Sequence, residues 1–187
     1  MSKVVFNSSV SQDGFVAGLH DEVGEVFHPC ESGDTDVPLP GTDLVFRVSR
    51  RSAEYLRATW PRYGAAIWGR RTFDITKGWG GRPPGGYPCS VLTHSVPERW
   101  VYEGPPFTFV TDGTESAVAQ AKAAAGDKHV AVSTGATMRA CLAAELLDEL
   151  HLDLAPVLLR FCSGRGFGCS GGRRRGSSIF LRSEPRA

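Results

Sequence analysis

The sequence lacks the features of several classes of protein. None of its 187 residues belongs to an apolar run of about 18 or more, which excludes a membrane-spanning helix. No C-x-x-C pair occurs, and His28 and Cys30 have no second pair at zinc-site spacing, which argues against a metal site. The five cysteines are an odd number and no secretory signal precedes the first apolar run. We therefore expect reduced thiols and a cytoplasmic protein.

The composition is that of an ordinary globular protein, with 41% hydrophobic and 22% charged residues. The overall charge of +1 conceals an uneven distribution along the chain. Residues 160–187 contain seven arginines and one acid, whereas residues 1–159 carry a net charge of −5, a value typical of a soluble enzyme rather than a nucleic-acid binder. We expect one domain over residues 1–159 and an atypical Gly/Arg-rich, disordered tail over residues 160–187.

Strand and helix patterns alternate along the chain. Leu150, Leu152 and Leu154 alternate with His151 and Asp153, as in a strand that is exposed on one side. Residues 18–41 show no clear period and are expected to form a surface loop. The alternation predicts an α/β sandwich around a mostly parallel sheet. The predicted strands are 3–10, 63–68, 89–93, 107–111, 129–133 and 150–154, and the predicted helices are 49–60, 114–125 and 137–147.

Three strand ends carry residues that suit an anionic ligand. Gly69-Arg70-Arg71-Thr72 offers a backbone approach and guanidinium groups, Thr93-His94 follows the next strand, and Ser133-Thr134-Gly135-Ala136-Thr137 is a turn of small residues before a helix. Each turn alone also fits an ordinary strand-to-helix connection with solvated arginines. Together, at the carboxyl ends of parallel strands, they predict a nucleotide site.

Several spaced motifs resemble a known family. They are Ser9 to Gly18, the Gly69-Arg70-Arg71-Thr72-Phe73 turn, the Val91-Leu92-Thr93-His94 strand end and the segment Leu146 to Leu150. In this order they resemble the reductase domain found at the C-terminus of bacterial bifunctional deaminase-reductases of riboflavin synthesis, which also exists as a stand-alone protein and is similar in fold to dihydrofolate reductase. The resemblance covers residues 1–159.

The resemblance implies a three-layer sandwich of the dihydrofolate-reductase type, with NADPH bound across the strand ends. Carried over by position, the resemblance assigns four contacts with the cofactor. Its phosphates are held by Gly69, Arg70, Arg71 and Thr72, and its adenosine 2′-phosphate is contacted by Thr93 and His94. The diphosphate lies over Ser133, Thr134, Gly135, Ala136 and Thr137, and the nicotinamide ring is flanked by Val16, Ala17 and Gly18. The chain departs from the family in the third turn, where Ser133 and Thr134 precede a single glycine instead of a glycine pair.

The implied reaction is hydride transfer to a carbonyl or imine carbon, which needs a proton donor. We take Asp13 as the candidate donor, which requires burial to raise its pKa; the alternative is that Asp13-Gly14 is only a turn. Trp79, in a glycine-rich loop, is a candidate for stacking on a flat substrate, and the alternative is that it anchors its loop. A pterin, a ribosylaminopyrimidine and an unrelated carbonyl compound are all compatible substrates.

The tail loses the alternating pattern and predicts no closing strands for the sheet. Gly168-Cys169-Ser170-Gly171-Gly172 fits a hydrolase G-x-S-x-G motif, but no helix pattern follows it. We interpret the tail as a displaced reading frame or a divergent end, and the rival interpretation is a basic segment that binds nucleic acid. The alternative to a reductase is accordingly a catalytically silent nucleotide-binding protein with a truncated or frame-shifted C-terminus. Homodimers are common among similar proteins, and the sequence carries no signal for or against one.

Overall fold

The computed structural model of the protein describes residues 2–98, 106–159 and 179–180. The chain divides into two compact units. The first comprises Met1–Asn7, Pro38–Leu44 and Arg57–His151, and the second comprises Ser8–Val37, Val45–Leu56 and Leu152–Ala187. No helix among the described residues is both long and apolar enough to cross a membrane.

A mostly parallel sheet forms the centre of the fold. Its strands are β1 (Val4–Ser11), β4 (Tyr63–Gly69), β5 (Cys89–Leu92), β6 (Phe107–Val110), β7 (His129–Val132), β8 (Glu149–Ala155) and β9 (Ile179–Phe180), and β2 (Thr35–Pro38) and β3 (Val45–Val48) form a separate two-stranded sheet. The strands of the central sheet lie in the order β6-β5-β4-β7-β1-β8-β9. The pairs β6-β5, β5-β4, β4-β7 and β7-β1 are all parallel, and their carboxyl ends therefore lie at one edge.

The described residues form five α-helices, two of which follow clear sequence signals. Ser49 Oγ accepts a hydrogen bond from the Ser52 amide at 3.2 Å and so caps the second helix, which ends before Pro61 as predicted. The predicted helix at 114–125 is also confirmed, whereas the helix predicted at 137–147 begins and ends earlier. The helices are α1 (Gly24–Phe27), α2 (Arg50–Thr59), α3 (Arg70–Ile75), α4 (Thr114–Ala125) and α5 (Gly135–Ala143), with 3₁₀ turns at His28–Cys30, Trp60–Arg62 and Lys77–Gly81.

Alternate residues of the central strands build two apolar clusters within the first unit. Neighbouring strand residues point to opposite faces, so Val4 and Phe6 belong to one cluster and Val5 to the other. The first cluster includes Ile67, Val130 and Val132 with the α4 residues Ala117, Val118 and Ala121. The second includes Tyr63, Ala66, Cys89 and Ala131. Burial on both faces is what a parallel sheet requires, and the predicted α/β class is confirmed.

The prediction of a structureless loop over residues 18–41 is wrong in part. Gly24–Phe27 forms α1 and Thr35–Pro38 forms β2, and Val26 and Val37 are buried. Elements of four residues are too short to show a period, so only these isolated apolar residues marked them in the sequence.

Strand β8 and the tail differ from the simplest interpretation of their sequence patterns. In β8 the leucines form the exposed side: Leu150, Leu152 and Leu154 are 49%, 39% and 37% exposed, while the polar residues between them are partly buried. In the tail, Ile179–Phe180 pairs with β8 in antiparallel register. The rest of residues 160–187, for which disorder was expected, lies outside the described residues, and so does Ser170 with its G-x-S-x-G motif.

Candidate functional site

The three turns singled out in the sequence follow three neighbouring strands of the sheet. Gly69 to Thr72 lies at the end of β4, Thr93 and His94 follow β5, and Ser133 to Thr137 follows β7. Strand β4 lies between β5 and β7 and is parallel to both. The structure therefore brings the three turns together at the carboxyl edge, where ligands of open α/β sheets bind.

Arg70 connects the β4 turn to the β5 turn. Its Nη1 atom donates to the backbone oxygen of Ser95 at 2.8 Å and to the hydroxyl of Thr93 at 3.4 Å. Its Nε atom donates to both carboxylate oxygens of Asp74, each at 2.8 Å. One guanidinium group thus joins the start of α3 to the residues that follow β5.

Gly69 brings the β4 turn against the β7 turn. A Cβ atom at this glycine would lie 3.1 Å from the hydroxyl oxygens of both Thr134 and Thr137. Thr134 donates its hydroxyl hydrogen to Thr137 at 2.7 Å and makes no side-chain cap on α5. The two turns therefore meet closely at Gly69, where a larger residue would require the threonine side chains to move by a few tenths of an ångström. No sequence pattern indicated this close approach.

Basic side chains gather along this edge. Arg71 and His94 are exposed. Arg139, on the first turns of α5, is also exposed, and its Nη1 atom lies 3.8 Å from the position that a Cβ of Gly135 would occupy. Arg139 belongs to none of the motifs recognised in the sequence, although its distance of four residues from Gly135 places both on one helix face. Guanidinium groups beside the N-terminal turn of a helix are a suitable environment for an anion.

Trp79 packs against aromatic side chains of the first unit. Its ring lies 4.7 Å from that of Trp68 between centroids and is stacked on Phe107 at 6.4 Å with an interplanar angle of 7°. Its backbone is in the left-handed region, with φ of 49°. These contacts support the alternative that Trp79 anchors the glycine-rich loop; the role in stacking on a substrate stays a prediction.

Asp13 and the segment from Val16 to Gly18 belong to the second unit. Asp13 lies in the turn after β1, in which the Gly14 amide donates to the Ser11 oxygen at 3.0 Å. The Asp13 Oδ1 atom accepts a hydrogen bond from the Leu159 amide at 3.1 Å. Val16, Ala17 and Gly18 are partly buried. The Asp13 side chain therefore connects the turn after β1 to the backbone of Leu159. Its role as a proton donor stays a prediction.

Asp153, on β8, is an ionisable group that sequence analysis named only as part of an alternating pattern. Burial raises the pKa of its carboxyl group from 3.8 to about 6. The pattern of leucines alternating with polar residues favours exposure of the polar side, and the burial of Asp153 could not be deduced from it. Within residues 2–98, 106–159 and 179–180, no group of three or more His, Cys, Asp or Glu side chains is arranged to hold a metal ion.

Comparison with known proteins identifies the fold. No protein-family model matches the sequence, and a search of curated proteins found no match. Among solved structures, a riboflavin biosynthesis protein from Shewanella sp. PV-4 is 22% identical with a TM-score of 0.60, over 85% of this chain and 79% of that one. Dihydrofolate reductase from Enterococcus faecalis is 14% identical with a TM-score of 0.47, over 96% and 77%.

A third similar structure is a bifunctional enzyme from Thermotoga maritima. It is a diaminohydroxyphosphoribosylaminopyrimidine deaminase/5-amino-6-(5-phosphoribosylamino)uracil reductase, 12% identical with a TM-score of 0.51, and the match covers 85% of this chain but 46% of the enzyme. At these identities the similarities establish the fold that the chain shares with the Shewanella and Thermotoga proteins. The fold class predicted from the sequence is confirmed.

Proposed function

We propose that the protein is an NADPH-dependent reductase that transfers a hydride to a carbonyl or imine carbon of a small heterocyclic or carbonyl substrate. The observation that carries this proposal is the contact between the turns after three neighbouring strands. Arg70 bonds join the turns after β4 and β5, and the turns after β4 and β7 approach each other closely at Gly69. A connected row of turns with exposed arginines suits an extended ligand that carries several phosphate groups.

The chemistry of the residues present fits such a cofactor. Arg139 and the N-terminal turn of α5, from Ser133 to Thr137, would hold the diphosphate, since both offer positive charge or N–H donors. The turn from Gly69 to Thr72, which follows the neighbouring strand β4, would also contact the phosphates. In this turn Arg71 is exposed. Thr93 and His94 would contact the 2′-phosphate that distinguishes NADPH from NADH.

A bound nicotinamide ring would supply the hydride. As the hydride reaches the substrate carbon, the electron pair of the C=O or C=N bond moves onto oxygen or nitrogen, and a proton must neutralise it. We propose that Asp13 donates this proton. The hydrogen bond from the Leu159 amide to one Asp13 oxygen is compatible with that role, because a protonated carboxyl group can accept at one oxygen and donate from the other.

The similar structures favour substrates of the riboflavin pathway among the compatible ones. The Shewanella structure is described as a riboflavin biosynthesis protein, and the Thermotoga enzyme includes a reductase of a ribosylaminouracil phosphate. We therefore propose a ribosylaminopyrimidine as the first substrate to test, followed by dihydrofolate as a pterin and by simple carbonyl compounds.

The test is NADPH oxidation followed by absorbance at a wavelength specific for the reduced ring, with each candidate substrate and with none. We expect substrate-dependent oxidation by the wild-type protein and its loss in Asp13→Asn with unchanged cofactor affinity. Cofactor binding without oxidation of any substrate would instead support the alternative of a silent nucleotide-binding protein. That alternative is motivated by the atypical tail and by the single glycine, Gly135, after Ser133 and Thr134. Absence of binding would refute both.

A further inference from the structure

We propose that the turn Lys77–Gly81 is a lid over a subsite for the heterocyclic ring of the substrate. In this subsite the indole N–H of Trp68 donates a hydrogen bond to a ring carbonyl oxygen, while Trp79 leaves Trp68 and stacks on the ring. The inference rests on the proposed function and narrows the substrate class to a flat heterocycle that carries a carbonyl oxygen. It concerns how the ring is recognised and does not alter the proton transfer assigned to Asp13.

The indole nitrogen of Trp68 is a buried donor without an acceptor. Trp68 is the residue of β4 before Gly69, so it lies where the strand reaches the three turns. Its Nε1 atom is closed to solvent and has no hydrogen-bond partner among the residues that the structure describes. A buried tryptophan N–H normally finds an acceptor, because leaving it unpaired costs free energy. Trp68 therefore holds a donor that a ligand would satisfy.

Aromatic rings cover Trp68. The ring of Trp79 lies 4.7 Å from it between centroids, at an interplanar angle of 57°, and Tyr87 and Phe107 pack with Trp68 against the second apolar cluster. An aromatic face accepts a hydrogen bond from an N–H group only weakly, whereas a carbonyl oxygen is a full acceptor. A flat ring with a carbonyl oxygen that replaced Trp79 here would keep the aromatic contact and add the missing hydrogen bond.

The backbone that holds Trp79 over Trp68 is strained. Its φ angle is positive at five consecutive residues, with 50° at Lys77, 56° at Gly78, 49° at Trp79, 62° at Gly80 and 84° at Gly81. The left-handed region suits glycine but costs free energy at Lys77 and Trp79, where a Cβ approaches the following carbonyl oxygen. Such strain persists only where surrounding contacts hold it. Release of the Trp79 ring would let both residues return to ordinary φ angles, and the neighbouring glycines permit the movement.

The first experiment follows the indole N–H signals by NMR in ¹⁵N-labelled protein with NADP⁺. The Trp68→Phe variant identifies the Trp68 signal. On addition of 5-amino-6-(5-phosphoribosylamino)uracil or of dihydrofolate, which both carry ring carbonyl groups, we expect the Trp68 indole proton to shift downfield, as a newly hydrogen-bonded proton does. The signal of Trp60, in the 3₁₀ turn before β4, should stay in place. A Trp68 signal that neither compound moves, through lack of binding or despite it, would overturn the proposal.

The second experiment measures affinities by isothermal titration calorimetry. Trp68→Phe keeps an aromatic ring and removes the donor, so we expect it to bind the compound that moved the Trp68 signal about tenfold more weakly, typical of one unmade hydrogen bond. Its NADPH affinity should be unchanged, which also shows that the variant is folded. The matched control is Trp60→Phe, which should leave both affinities unchanged. Unaltered affinity of Trp68→Phe for that compound, or an equal loss of NADPH affinity, would contradict the donor role.

The lid is tested by two changes at Lys77, which is exposed. Lys77→Ala and Lys77→Gly both remove the charge, but only glycine relieves the left-handed backbone and so stabilises the closed turn. We expect Lys77→Gly to bind the same compound about fivefold more weakly than Lys77→Ala, with an equal shift of the Trp68 signal at saturation. Equal affinities, or tighter binding by the glycine variant, would refute the lid.

Failure of this inference is distinguishable from failure of the proposed function. A wild-type protein that binds no NADPH would overturn both. Binding of NADPH and its substrate-dependent oxidation, with the Trp68 indole signal unmoved, would overturn only the ring subsite.

Discussion

Replacing Asp153 by asparagine should stabilise the protein at neutral and alkaline pH and leave it nearly unchanged in acid. Burial raises the pKa of this carboxyl group to about 6 in the folded chain, from 3.8. The folded protein therefore holds the proton up to about pH 6, while the unfolded chain releases it near pH 4. The contribution of Asp153 to the free energy of unfolding is therefore highest below pH 4, where Asp153 is protonated in both states, and it falls as the pH rises through 6.

The magnitude follows from the shift. Each pKa unit corresponds to about 1.4 kcal/mol, so a rise of about two units corresponds to up to about 3 kcal/mol of unfolding free energy above pH 6. For a chain of this size, 1 kcal/mol moves the melting temperature by about 2–4 °C. Asp153→Asn removes the charge and keeps the shape. Its melting temperature should exceed that of the wild type by up to about 10 °C at pH 8, and by little at pH 4.

The assay is thermal unfolding by circular dichroism at pH 4, 5, 6, 7 and 8 for both proteins. Any constant cost of a buried amide cancels when the difference in melting temperature is compared between pH values. The control is Asp127→Asn, at an exposed position, which should show no such trend. A difference between wild type and Asp153→Asn that is the same at pH 4 and pH 8 would falsify the burial argument.

Three further predictions concern the turns and the thiols. Gly69→Ala should lower the free energy of unfolding by about 1–3 kcal/mol, because its methyl group would lie 3.1 Å from two threonine hydroxyls. In Gly135→Ala the nearest contact of the methyl group would be at 3.8 Å, so calorimetry should find this variant at least as stable as the wild type. Arg139→Ala should weaken NADPH and NADH binding equally, by about tenfold, and a loss confined to NADPH would contradict a role at the diphosphate. Burial raises the pKa of the Cys89 and Cys141 thiols. Peptide mass mapping should therefore find both unmodified after the native protein is treated with iodoacetamide at pH 8. Rapid labelling would disprove their burial.

Much of the fold follows from short local signals. The strand from Tyr63 is an apolar run bounded by Pro61 and by the Gly69 turn, and the helix over 114–125 ends at Gly126, so each boundary has its own chemical marker. Because strands alternated with helices, a parallel sheet was the expected arrangement. A parallel sheet in turn predicts that turns at the carboxyl ends of neighbouring strands lie close together, as the turns after β5, β4 and β7 do.

Features that depend on distant neighbours were beyond sequence analysis. The alternation in β8 shows that one side is exposed, but which side is exposed depends on what packs against it, and the leucine side proved to be the exposed one. The engagement of Arg70 with Ser95 joins residues 25 positions apart, and no local pattern distinguishes Arg70 from Arg71. The environment of each arginine depends on the residues that it contacts in the folded chain, and not on its position in the turn.

The central claim is that the turns after β5, β4 and β7 bind one phosphorylated dinucleotide. Fluorescence titration of NADPH against the wild-type protein, Arg71→Ala and His94→Ala tests this claim most directly. We predict saturable binding by the wild type and a loss of about tenfold or more in each variant, as expected for removal of a charged phosphate contact. Affinity that is unchanged in both variants would contradict the placement of the phosphates, and no binding by the wild-type protein would contradict the claim itself.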